Sequence, residues 1–190
     1  MKLQTIICST RPGRMGPAVA NWFHSLAEAH PGFDAELVDI ADFNLPMFDE
    51  PNIPRFRNYV HDRTKVWAAS VASADAYVFV TPEYNGGTTP ALINAINYLY
   101  FEWGYKPGAF VSYGGGAGGV RAVHGTKLLL SAVKIMPIPE SVTIPNVWTQ
   151  ITPEAGFVAN EGQLGAAKMT LDELAVWAKP LHDLRNDQAK

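Results

Sequence analysis

One cysteine, Cys8, is all that the 190-residue chain holds. No disulfide can form within it, and a cysteine-built zinc site is excluded. Cys8 falls in the apolar run Thr5–Cys8 and reads as a small core residue. Long hydrophobic runs are also missing. No stretch approaches the ~18 continuous apolar residues of a membrane span, and the apolar start ends before Arg11, too short for a signal peptide's core and cleavage region. The expectation is a cytoplasmic chain with no membrane partner. Excess positive charge is lacking: Lys plus Arg number 15 against 18 Asp plus Glu, a net charge of −3. Nucleic acid and anionic membrane surfaces call for the opposite balance. His24, His30, His61, His124 and His182 show no zinc-ligand spacing, so no metal is expected. A Gly-x-Ser-x-Gly elbow and the Gly-Lys-Ser/Thr ending of a Walker loop are both absent, which disfavours acyl-transfer hydrolysis and nucleoside-triphosphate hydrolysis.

What is present fits a compact globular protein: 47% apolar and 17% charged residues, with enough length for one domain over residues 1–190. Four near-continuous apolar segments predict strands at Leu3–Cys8, Ala35–Ile40, Ala76–Val80 and Ala109–Tyr113, as in a parallel sheet covered on both faces. A fifth, weaker one is Ser141–Ile144. Between them lie amphipathic segments. Val19, Trp22, Phe23, Leu26 and Ala27 form one face; a second helix is predicted over Phe56–Ala74 with Val60, Val66, Trp67 and Val71 inward. Leu92, Ile96, Leu99 and Tyr100 mark a third. Val120, Val123, Leu128, Leu130 and Val133 mark a fourth, ended by Pro137. The last carries Leu164, Ala167, Leu171, Leu174, Ala178 and Leu181, with Pro180 expected to bend or end it. Alternating strands and helices imply a doubly wound α/β domain. Five strands favour the flavodoxin-like order 2-1-3-4-5 over the six-stranded dinucleotide fold. The Pro-rich stretch Leu45–Pro54 reads as a long surface loop.

That topology gathers the turns after strands one, three and four on one sheet edge, where open α/β sheets bind ligands. The first turn, Ser9-Thr10-Arg11-Pro12-Gly13-Arg14-Met15-Gly16-Pro17, opens a helix with Pro17 in its first turn. Unpaired N–H groups and the helix dipole attract anions there, and two arginines suit a phosphate. The second, Pro82–Thr89, opens with Pro82-Glu83-Tyr84-Asn85-Gly86-Gly87, a stiff turn offering amides and an aromatic face to a planar heterocycle. The third, Ser112-Tyr113-Gly114-Gly115-Gly116-Ala117-Gly118-Gly119, lets the backbone approach a ligand closely. Gly114, Gly116 and Gly119 formally match G-x-G-x-x-G, a weak sign on a fourth strand with no acidic residue ending the next. Phosphate, ring and amide donors together describe flavin mononucleotide (FMN).

From Leu3 to about Asn146 the chain resembles the NAD(P)H-dependent FMN reductase family of flavodoxin-like flavoproteins. The family's first loop usually reads Gly-Ser-x-Arg-x-x-Ser-x-Asn; Ser9 and Arg11 match, while Arg14 and Gly16 replace the second serine and the asparagine. Its second motif, Pro-Glu-Tyr-Asn and then Leu-Lys-Asn-Ala-Ile-Asp-Trp, is matched at Pro82–Asn85 and Leu92–Tyr98, with Ile93 and Asn97 replacing lysine and aspartate. Its third, Ser-x-Gly then Gly-Gly-x-Arg, is matched by Ser112, Gly114, Gly118, Gly119 and Arg121.

The resemblance implies an FMN-dependent oxidoreductase that takes hydride from NAD(P)H and passes electrons to a quinone, free flavin or other small oxidant. Ser9, Arg11 and Arg14 are expected to hold the phosphate, Tyr84 and Asn85 the ring, and Ser112 with Gly114, Gly115 and Gly116 its pyrimidine edge. Met15, Gly16, Pro17, Pro82, Glu83, Gly86 and Tyr113 complete the cofactor-binding set. No side chain is expected as catalytic acid or base. A homodimer is expected through the helices after the second and third loops, with Tyr98, Tyr100, Phe101 and Trp103 as surface aromatics and a tetramer as the larger alternative. Glu102 and Trp103 are open to two readings, helix-end packing or a place near a neighbouring subunit's flavin. The rival readings are a flavodoxin-like electron carrier, which would oxidise almost no NADPH alone, and a dinucleotide-binding dehydrogenase.

Overall fold

The computed structural model describes residues 1–188 and carries one five-stranded parallel sheet in the order β2-β1-β3-β4-β5. Its strands are β1 (Lys2–Ile7), β2 (Asp34–Asp39), β3 (Ala76–Pro82), β4 (Lys106–Tyr113) and β5 (Ile135–Ile144). Helices α1 (Gly16–Glu28), α2 (Asp62–Ser73), α3 (Pro90–Asn97), α4 (Val120–Ala132) and α5 (Glu161–Gln188) connect and cover them. A small antiparallel pair, β6 (Ile151–Thr152) and β7 (Gly156–Phe157), precedes α5. The predicted fold and strand order are those observed.

Every residue of β3 and β4 is buried, because helices lie on both faces of the sheet. Alternation along the strands splits the core. Ile7, Val78, Val80 and Val111 pack with Val19, Phe23, Leu171 and Leu174 of α1 and α5. Ile6, Tyr77, Phe79 and Phe110 pack with Trp67, Ile96 and Leu130 of α2, α3 and α4. Trp103 stands edge-on to both Trp67 and Tyr77, with centroids 5.7 and 5.0 Å apart. The two indoles satisfy their N–H groups on Ala95 O and Ile96 O at 2.9 and 3.1 Å.

Four expectations need correction. The second helix begins at Asp62, not Phe56, because Glu50 accepts the N–H groups of Val60 and His61 and holds that approach as loop. Its inward face is Thr64, Trp67, Ala68 and Val71, while Val60 and Val66 are exposed. The fourth helix ends at Ala132, with Leu128 pointing to solvent, and β5 begins at Ile135. Pro137 therefore lies in a strand; β5 is a sheet edge, where a missing N–H is tolerated. Pro180 does not end α5, which runs on to Gln188. The turn after it is anchored: Arg185 donates to Tyr105 O at 3.0 Å, and both Arg185 and His182 meet Asp75. Finally, Tyr98 and Trp103 are fully buried rather than surface aromatics, so Trp103 follows the packing reading; Phe101 is exposed and Tyr100 half-buried.

Candidate functional site

The parallel register brings the ends of β1, β3 and β4 to one edge, with Ile7 opposite Val80 and Pro82 opposite Tyr113. The three loops follow from these ends. Thr89, which caps α3 by accepting Leu92 N–H, donates to Cys8 O at 2.5 Å and ties the second loop's exit to β1. Burial pushes the Cys8 thiol's pKa up, and it donates to Ile6 O. It is not a nucleophile.

In the first loop, Ser9 is fully buried and its Oγ accepts from Tyr113 Oη at 3.2 Å. Burial raises the Tyr113 pKa, so this phenol stays a donor. Gly16 makes the contact possible, since a Cβ there would lie 2.5 Å from Ser9 Oγ and 2.9 Å from Tyr113 Oη. Arg14 turns inward: it donates to Ser9 O and binds Asp39 at the end of β2, at 2.8 and 2.5 Å. The Asp39 hydrogen bonds, first among its causes, raise the Arg14 pKa further. Arg11 is exposed; its carbonyl accepts Arg14 N–H at 3.2 Å, and its guanidinium has no partner among the described residues. Met15 is the N-cap of α1 and offers no side-chain cap, with Pro17 in the first turn. The opening N–H groups of this helix therefore remain available to an anion.

In the second loop, Tyr84 and Gly87 exchange N–H···O bonds of 2.9 and 3.0 Å around Asn85 (φ 51°) and Gly86 (φ 79°). Two successive positive φ values define a type I′ turn, which favours Asn-Gly. Tyr84 is half-buried and Asn85 exposed at its tip, with Pro82 closing β3 beneath. Glu83 sends its carboxylate sideways to Arg121 on α4.

In the third loop, Ser112 is buried and donates to Gly118 O at 2.8 Å. Its O–H thus helps to shape the loop. Gly114 and Gly115 accept from Val147 and Asn146, while the N–H groups of Gly115 and Gly116 have no partner among the described residues. Both glycines are exposed. Gly118 and Gly119 take φ of 59° and 85° against Thr143 and Tyr113, where a side chain has no room.

The predicted residues converge on this edge, in two layers. Arg11, Tyr84, Asn85, Gly115 and Gly116 face outward. Ser9, Arg14, Glu83, Ser112 and Tyr113 engage protein partners that hold the loops in place: Tyr113 donates to Ser9, Arg14 to Ser9 O and Asp39, Ser112 to Gly118 O, and Glu83 accepts from Arg121. Asp39 was missed, although an acid ending β2 beside an arginine-bearing turn is a readable signal. Trp148, exposed after β5 with its ring edge 3.8 Å from where a Gly115 Cβ would stand, was missed as well. A cavity of about 430 Å³ adjoins the first loop, between Thr10, Asn44, Met47 and Asn94. A larger one, about 680 Å³, lies at the strands' opposite ends around Lys106 and Arg185 and touches none of the three loops.

These residues fit an FMN: a helix start with no side-chain cap, in the same loop as an exposed Arg11 whose guanidinium has no partner among the described residues, suits its phosphate, and exposed glycine amides on the same sheet edge as a rigid aromatic turn suit its ring. No group of three or more His, Cys, Asp or Glu side chains among the described residues could hold a metal ion, and no described helix is long and apolar enough to cross a membrane.

Comparison with known proteins agrees. Residues 1–149 match the family model for NADPH-dependent FMN reductase. An NAD(P)H-dependent FMN reductase of Schizosaccharomyces pombe is 37% identical over 174 residues, covering 87% of this chain and 86% of its own. The NAD(P)H-dependent FMN reductase LOT6 of Saccharomyces cerevisiae is 33% identical, over 75% of this chain and 87% of its own. The flavoenzyme NAD(P)H:(acceptor) oxidoreductase FerB of Paracoccus denitrificans shares the fold, with a TM-score of 0.75 at 20% identity, over 94% of this chain and 97% of its own. With its sheet order, its three loops and this match in hand, the chain belongs to the NADPH-dependent FMN reductase family.

Proposed function

We propose that this chain binds FMN across the three loops, oxidises NAD(P)H with it and reduces a small planar oxidant such as a quinone, an azo compound or free flavin. The observation that supports the placement is the start of α1, which has no side-chain cap, in one loop with the exposed Arg11 and on the same edge as the Gly115 and Gly116 amides, which have no partner among the described residues. Bound FMN supplies the hydride chemistry itself. The chain's part is placement. Arg11 and the first-turn amides of α1 hold the phosphate, Tyr84 and Asn85 set the plane of the ring, and the third-loop amides face its pyrimidine edge. Arg14, Ser9 and Tyr113 hold the first loop in shape rather than touching the phosphate. The Glu83 carboxylate and the Tyr113 phenol are engaged with protein partners and are left without a proton-transfer role.

A homodimer through the helices after the second and third loops, α3 and α4, is part of the same reading. It is supported by Ile93, Phe101 and Phe56, which are 42%, 45% and 72% exposed. A cytoplasmic location, where NAD(P)H is supplied, completes it. Purified protein reconstituted with FMN should oxidise NADPH steadily with a quinone present and run as a dimer by light scattering. FMN binding with almost no NADPH oxidation would make the chain a carrier instead.

A further inference from the structure

We infer that Glu83 and Arg121 form a cross-brace that sets the width of the ring slot, so that both are positioning residues for the flavin. The inference rests on the FMN placement above. Glu83 opens the second loop, and Arg121 lies in the first turn of α4, directly after the third. One carboxylate oxygen accepts from Arg121 Nε at 2.8 Å and lies 2.7 Å from a terminal nitrogen of the same guanidinium. The other accepts from the Arg121 backbone N–H at 3.1 Å.

That last contact supplies a cap. Gly119, the N-cap of α4, has no side chain to satisfy the helix start, and Glu83 does so from the neighbouring loop. A carboxylate there also meets the positive end of the helix dipole. Glu83 N–H donates to Tyr113 O at 3.2 Å, and its Cβ stands 3.9 Å from where a Gly114 Cβ would be. Loop two is thus fastened to both ends of loop three. Exposed ion pairs usually contribute little, and Arg121 is largely exposed, but the Glu83 side chain is only 10% exposed and is held by three nitrogens, which fixes geometry as well as charge. The ring must enter between these two loops, so a brace joining them fixes the gap it enters.

The test uses Arg121→Gln, whose side chain is 64% exposed and leaves the core untouched, together with Glu83→Gln and the double variant. FMN and riboflavin are titrated into each apoprotein, and visible circular dichroism of the bound flavin is recorded. Both single variants should weaken FMN and riboflavin alike, by about tenfold. The double variant should be no weaker than the worse single one, and the dichroism should change in all three. Unchanged flavin affinity and dichroism in Arg121→Gln, or losses that add in the double variant, overturn the brace even where melting temperature falls. Wild-type protein that binds neither flavin overturns the FMN placement, and the brace with it.

Discussion

Arg14 and Asp39, 25 residues apart, close a two-point ion pair at 2.8 and 2.5 Å across the ends of β1 and β2. Side-chain exposures of 20% and 16% place the pair below the solvent-screened surface. Asp39 also accepts Ala41 N–H at 3.0 Å, so one carboxylate fastens the first loop to the turn after β2. Arg14→Ala should destabilise the fold by roughly 1.5–3 kcal/mol, the range for hydrogen bonds to charged groups, and Asp39→Asn should follow it. FMN and riboflavin should lose affinity together, because the loop rather than the phosphate contact is damaged. Urea denaturation with titration of both flavins checks this. A loss confined to FMN would place Arg14 on the phosphate.

Gly16→Ala should be a damaging methyl addition. Its Cβ would meet Ser9 Oγ, Tyr113 Oη and Ile7 Cγ2 at 2.5, 2.9 and 3.2 Å. Separating the Ser9–Tyr113 pair and shifting the start of α1 should cost about 1–3 kcal/mol. Gly116→Ala, with nothing within 4 Å, is the matched control and should leave apoprotein stability within about 0.5 kcal/mol. Equal denaturation midpoints for the two variants would contradict the packing described.

Lys106 gives the fold a pH dependence. Its ammonium is buried against Val71 O, Ala72 O and Tyr77 Oη at 2.8, 3.2 and 2.9 Å. Burial first, and Arg185 second, lower its pKa from 10.5 to about 7. Between those values the unfolded chain binds a proton that the folded chain has released, so stability rises with pH across that window. Below about 7 both states are charged and the contribution is flat. Lys106→Met should remove the rise. Denaturation of both proteins at neutral and moderately alkaline pH tests it; parallel pH profiles would contradict it.

The sheet was legible because β3 and β4, covered on both faces, need apolar residues at every position, and runs such as Ala76–Val80 leave few alternatives. The three loops were legible because glycine and proline mark backbone shapes that other residues resist. The misreadings have local causes. Val60 and Val66 carry the right spacing but face solvent; counting Val60 extends α2 too far toward the N-terminus, and counting Val66 gives it the wrong inward face. Pro137 and Pro139 hid the first half of β5, since only an edge strand accommodates them. Tyr98 and Trp103 looked like surface because a short helix has little core to cover, yet the 45–60 segment folds over it: Tyr98 Oη donates to Pro46 O at 3.0 Å. The Arg14–Asp39 pair is hidden from the sequence because the two residues meet only in three dimensions.

The central claim, that the start of α1 binds the phosphate of FMN, is tested most directly at Arg11. This guanidinium is exposed and unpaired among the described residues, so its removal leaves the apoprotein's own contacts intact. Arg11→Ala should remove a charge-assisted hydrogen bond of roughly 1.5–3 kcal/mol, weakening FMN about tenfold to hundredfold. Riboflavin, which lacks the phosphate, should bind the variant and the wild type alike. Fluorescence titration of both flavins against both proteins is the measurement. An FMN-specific loss is the predicted result; equal losses for the two flavins, or none for either, would contradict it.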